Sequence, residues 1–269
     1  MSVTSISQFV PTGLPCRWIR SLAVIAASLS LAVFARAEAP ASSAATDMVV
    51  ATINGEPVSA GEYSLVMGRQ APRVYASLKA EKNLDDHFGY WSPDAGPDSP
   101  FAKLRGMVLQ ELVTIKVQQT MAKEKGLQND ISFAGFQEGF LKENNRRREA
   151  LAAGTVIYGP KQHNEPAYYY ILFGDLSFRL KRKVCQETAP HIPEEEIRKF
   201  YEEHKAALKN PAYDAVRDRI AEEIAGRNFE RLLPSLYQSA KVEINEEVIR
   251  GLLPRHDVAP VDPAKPTPH

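Results

Sequence analysis

Apolar and polar positions alternate first with a strand period and then with a helical one. Residues 49–53 (VVATI) form a short apolar run, followed by Asn54-Gly55 and then by a helical pattern. Both residues of the Asn-Gly pair tolerate positive φ, which suits a tight turn. Ser59 is placed to cap a helix, with Glu62 three residues on to reach back and close a capping box. That helix is expected over 60–82, with Pro72 kinking or dividing it. A second helix is expected over 101–125, with Leu104, Val108, Leu112, Ile115 and Gln119 on one face and Gly126 as its left-handed cap. A third spans 132–153, closed by Gly154, with Phe133, Phe136 and Phe140 on one face. A fourth spans 165–187. A fifth starts at the acidic triplet Glu194-Glu195-Glu196, where the helix dipole favours negative charge, and ends near Ala207. The last long helix covers 213–240, with one stripe of Val216, Ile220 and Ile224 and another of Phe229, Leu232, Leu233 and Leu236.

After that helix, residues 241–244 (KVEI) return to period two. A single short strand cannot stand alone, so this segment is the expected partner of 49–53, with Val242 and Ile244 beside Val50 and Ile53. The fold class is therefore mainly α, a multi-helix domain with a small two-stranded sheet joining the N-terminal and C-terminal ends.

The segments flanking that domain read differently. Arg17 and Arg20 precede an apolar run over 21–34, and Ala35-Arg36-Ala37 is a small-x-small cleavage site. Residues 1–37 thus read as a signal peptide, 38–47 as a flexible tether, 48–254 as the helical domain and 255–269, rich in proline, as a disordered tail. The apolar run is shorter than the ~20 residues of a membrane span, so the expected location is periplasmic or secreted, without stable membrane insertion after cleavage. An anchor left uncleaved is the other reading of the same segment. Of the two cysteines, Cys16 goes with the signal, and Cys185 in the fourth helix reads as a buried small hydrophobe.

The chain carries 33 cations and 33 anions. The signal holds three arginines and no acid, so cleavage leaves 30 against 33, a balance of −3. That argues against nucleic acid as the main partner. The densest basic cluster, Arg146-Arg147-Arg148, reads as a solvated helix face. The six histidines (His87, His163, His191, His204, His256 and His269) have no second histidine within five residues. No His-Glu-x-x-His, no Gly-x-Ser-x-Gly and no phosphate-binding glycine loop occurs. No metal, cofactor or catalytic residue is therefore assigned. Glycoside hydrolysis by carboxylates distant in sequence is left open by spacing alone, and is not the favoured reading.

The segments VVATINGEPVSAGEY and LRGMVLQELVTIKVQQTMAKEKGL, with the final helix followed by AKVEI, resemble the chaperone core of SurA/PrsA-type exported foldases. The segment ISFAGFQEGFLKENNRRREALAAGTVIYGP resembles a variant subgroup of that family. The resemblance implies a helical domain closed by its terminal strands, usually with an inserted parvulin-type prolyl isomerase domain of roughly 90 residues, near the smallest that folds alone. Only residues 209–212 (KNPA) separate the two helices that would flank it, so the expectation is chaperone function without isomerase catalysis. The expected clients are unfolded or partly folded exported polypeptides, bound in an apolar and aromatic groove. A family member with residual isomerase activity, or a dedicated assembly partner of one envelope or secreted protein, is the alternative, and a homodimer is left open. The groove candidates are Phe88, Tyr90 and Trp91 in the 83–100 loop, with Tyr168, Tyr169, Tyr170 and Phe173 at the start of the fourth helix. Each taken singly reads as core in preference to groove.

Overall fold

The Asn-Gly turn organises the N-terminal end. In the computed structural model, which describes residues 46–83, 89–207, 209 and 211–254, Asn54 and Gly55 both adopt positive φ, 51° and 84°. This joins β1 (Val49–Ile53) to β2 (Glu56–Ser59) as an antiparallel hairpin, with Ile53 opposite Glu56 and Val49 opposite Ser59. On its other edge β1 pairs antiparallel with β3 (Val242–Ile244), Ala51 facing Ile244 and Ile53 facing Val242. Asn54 serves both partnerships: its N–H donates to the Lys241 carbonyl at 2.8 Å, and its side-chain oxygen accepts from the Lys241 N–H at 2.9 Å. The expected pairing of the chain ends is present, but the sheet has three strands in the order β2-β1-β3, where two were expected. In β2 only Val58 is buried, so that strand has too little alternation to announce itself.

The expected signal peptide, most of the tether, Phe88 and the Pro-rich tail lie outside the described residues.

α1 (Ala60–Lys82) begins where Ser59 Oγ accepts from the Glu62 N–H at 3.2 Å. The expected return half of the capping box is absent, because the Glu62 carboxylate is turned into the core. Pro72 does not divide α1, which runs on to an αL residue at Asn83. α2 (Pro100–Glu124) is capped by Ser99 and buries the expected face of Leu104, Val108, Leu112, Ile115 and Gln119. The sheet, α1 and α2 enclose the main apolar cluster, to which Phe133 and Tyr169 also belong.

α3 (Phe133–Ala152) buries only Phe133. Its return partner α4 (Glu165–Thr188), capped by Asn164, carries Leu176 and Leu180 into a second cluster with Ala122 and Phe229. A single 3₁₀ turn (Ala189–His191) leads to α5 (Glu194–His204) and α6 (Tyr213–Ser239). Ile197, Val216, Ile220 and Ile224 form the third cluster there. Eight residues (205–212) link α5 to α6. Leu232, expected in a buried stripe, is exposed. β3 and the short α7 (Glu246–Arg250) bring the chain back, with Ile249 fully buried in the main cluster.

Candidate peptide-binding groove

One face of α1 is built from small residues. Gly61, Ser64 and Gly68 succeed one another at spacings of three and four, and Leu65, Pro72 and Tyr75 extend the same surface. They form the floor of a cavity of about 700 Å³. Trp91 closes one side; Phe133 and Gln137 of α3, with Glu165 and Pro166 at the start of α4, form another; Thr46, Leu253 and Pro254 complete the rim. Among the described residues of this lining Glu165 is the one charged side chain, and it accepts a hydrogen bond from Gln137 Nε2 at 3.4 Å.

Two features of the floor follow from the sequence. A Cβ at Gly61 would lie 2.7 Å from the Phe133 ring, so glycine here is what lets α3 approach α1. A Cβ at Gly68 would meet nothing within 4 Å, so this position opens onto the cavity. Four residues later, Pro72 has no N–H to give the Gly68 carbonyl, so α1 offers that carbonyl no partner of the usual i→i−4 kind. The groove thus pairs an apolar lining with a helix face of small residues on its floor.

Below the groove lies a buried polar triad. Lys116 Nζ is 2.9 Å from Glu62 Oε2, and both side chains are about 1% exposed. The Tyr169 hydroxyl donates to Glu62 Oε1 at 2.6 Å, and Lys116 also donates to the Ile131 carbonyl at 3.3 Å. Burial first, then the Glu62 charge, holds the Tyr169 hydroxyl pKa well above the ordinary tyrosine value. The triad ties α1, α2 and α4 together at one depth. These contacts hold the three helices to one another.

The sequence candidates do not converge on one surface. Trp91 lines the groove at 7% exposure, with Tyr90 packed edge-on behind it at 4.8 Å. Tyr168 faces α3, 4.9 Å from the His163 ring and 5.9 Å from Phe140. Tyr169 is core. Tyr170 is half-buried beneath the Arg69 guanidinium, 3.9 Å above its ring. Phe173 lines a smaller cavity of about 250 Å³ between α3 and α4, together with Tyr169, Phe136 and Leu172. The floor residues Gly61, Ser64, Gly68 and Pro72 escaped the sequence reading, which weighted aromatic residues. Their three-and-four spacing was the available signal.

A third cavity, of about 570 Å³ between α4 and α6, has a different character. It is lined by Lys181, Arg219 and Arg227 against Glu222, Glu223 and Glu230, with Cys185 among them. Lys181 pairs with Glu230 at 2.5 Å and Arg227 with Glu223 at 3.0 Å. Burial pushes the Cys185 thiol pKa up, which disfavours the nucleophilic thiolate. Among the described residues, no group of three or more His, Cys, Asp or Glu side chains is placed to hold a metal ion. No helix among them is long and apolar enough to cross a membrane. Comparison of the chain with protein-family models, with curated proteins and with solved structures finds no match.

Proposed function

We propose that this protein is a chaperone-like binder of unfolded or partly folded exported polypeptides, and that the α1 groove holds one apolar client segment at a time. The observation that carries this reading is the groove itself: about 700 Å³, with one charge among its described lining residues and a helix face of small residues on its floor. Side chains that small let a client backbone come close, whatever the client's sequence. An apolar lining with few polar fixtures binds weakly and broadly, which is what a transient holder of unfolded chains requires. The resemblance to SurA/PrsA-type foldases supports the same reading, and the N-terminal signal pattern supports a periplasmic or secreted location. With eight residues between α5 and α6, the reading includes no prolyl isomerase catalysis.

The test is binding of a labelled, chemically denatured polypeptide, together with suppression of its aggregation. The wild-type chain should do both. Gly68→Trp fills the groove from a position where nothing lies within 4 Å, so the fold should survive while binding falls about tenfold or more. Binding unchanged by Gly68→Trp, or no binding by the wild-type chain, would refute the proposal.

A further inference from the structure

We infer that the resident occupant of the α1 groove is the chain's own segment 255–269, seated as an extended proline-rich strand that a client must displace; this rests on the reading of the groove as a peptide site. The attachment is the first argument. Leu253 and Pro254 line the groove, so residue 255 starts at its rim. That starting point is held in place: Ile249 is fully buried, the Asn245 N–H donates to the Val50 carbonyl at 2.8 Å, and the Leu252 N–H donates to the Ile249 carbonyl at 3.0 Å.

The second argument is periodicity. The segment reads RHDVAPVDPAKPTPH, and Pro260, Pro263 and Pro266 recur every three residues. A polyproline II helix has three residues per turn, so these prolines fall on one of its faces. Grooves lined by aromatic side chains are the usual receptors for such a face, and Tyr75, Trp91 and Phe133 line this one.

Length agrees. From Pro260 to Pro266 a polyproline II segment covers roughly 19 Å. The α1 face from Gly61 to Tyr75 covers about 21 Å. The five residues 255–259 remain to reach from the rim. Tethering supplies the rest. A short linker holds a segment at an effective concentration in the millimolar range, so even a weak ligand occupies its site until a better one arrives.

The experiment places a photoactivatable side chain at position 264 of the full chain and maps the cross-links. Cross-links within one molecule to the 61–75 face or to Trp91 are expected. Gly68→Trp, and separately the triple change Pro260→Ser, Pro263→Ser and Pro266→Ser, should each reduce them about fivefold or more. Cross-links scattered elsewhere, found only between two copies, or indifferent to both variants would overturn the inference. None of these outcomes depends on client binding, so a failure of the chaperone reading shows separately. In the same experiment an added denatured polypeptide should suppress the cross-link, and the triple variant should bind that polypeptide about threefold more tightly or better. A polypeptide that binds with the cross-link intact would show that tail and client do not share the groove.

Discussion

The two glycines on the floor of the groove make opposite demands on substitution. Gly61→Ala forces a methyl to within 2.7 Å of the Phe133 ring, which is itself hemmed in by Phe136 at 5.3 Å and Tyr169 at 6.2 Å. Overpacking of this kind costs about 1–3 kcal/mol, more than the better helix propensity of alanine returns. Gly68→Ala meets nothing, so the propensity gain of up to about 1 kcal/mol should appear in full. Urea unfolding of the pair should therefore move in opposite directions, and two shifts of the same sign would contradict the geometry. The buried triad makes a stricter demand. Lys116→Met leaves the Glu62 carboxylate buried with the Tyr169 hydroxyl as its remaining partner, which should cost about 3–5 kcal/mol. Replacing both charges, as Glu62→Leu with Lys116→Met, should recover most of that loss, because the desolvation of two ions disappears with them.

Among the elements, α3 depends least on burial and most on polar contacts. Arg147 is held at 11% side-chain exposure; it bonds Glu143 Oε1 at 2.8 Å and donates to the Tyr158 and Pro160 carbonyls at 3.0 and 2.7 Å. Asn144 and His163 add a reciprocal pair, the side chain of one with the backbone of the other, at 2.9 and 3.0 Å. The arginine cluster that looks like a plain solvated face thus contains one residue that fixes the α3–α4 connection. Hydrogen bonding from Arg146, reinforced by Arg147, lowers the Glu143 pKa from the usual carboxylate range to about 2. A lowered carboxylate contributes stability above its unfolded value near 4.5 and loses it as the pH falls through the folded value. Protection factors in residues 154–164, exchange rates corrected for the intrinsic pH dependence, should accordingly fall between pH 4.5 and about 2, while those of α2 change little. Arg147→Ala should produce the same local opening at neutral pH. Protection factors that remain flat across this acid range would mean that the ion cluster does not hold the connection.

At the largest scale, the described domain is closed by contacts between its two ends. β1 lies between its hairpin partner β2 and the distant β3, and α7 plugs the same core through Ile249. Ile249→Ala should cost about 2–5 kcal/mol, the usual range for an aliphatic side chain truncated in a packed core. That loss should also loosen β1, although nearly the whole described chain separates the two in sequence, because Asn245 bonds Val50 just ahead of α7. Thermal unfolding followed separately at the β-sheet and at α5–α6 would show whether destabilisation at this closure spreads beyond the main cluster. A change confined to α7 would show that the closure is ornamental.

Helix boundaries were largely legible in the chain, because caps and breakers act locally: Ser59, Ser99, Ser132 and Asn164 each accept a backbone N–H at the predicted start, and Gly126 and Gly154 adopt positive φ at the predicted ends. The pairing of β1 with β3 was legible too, since a short apolar run at one end and period-two patterning at the other left each strand needing a partner. The third strand, the turning of Glu62 away from its cap toward Lys116, and the continuity of α1 through Pro72 were not, because each depends on what lies across the core. The site shows the division most clearly. Sequence marks the aromatic residues but cannot say which share a surface, for three consecutive tyrosines on a helix point in three directions. By itself the sequence determined the elements, their caps and the need to join the ends, all consequences of local conformational preference. Only the tertiary structure decided that the groove lies on the small-residue face of α1, because a cavity is created by elements that approach one another and fail to fill the space between.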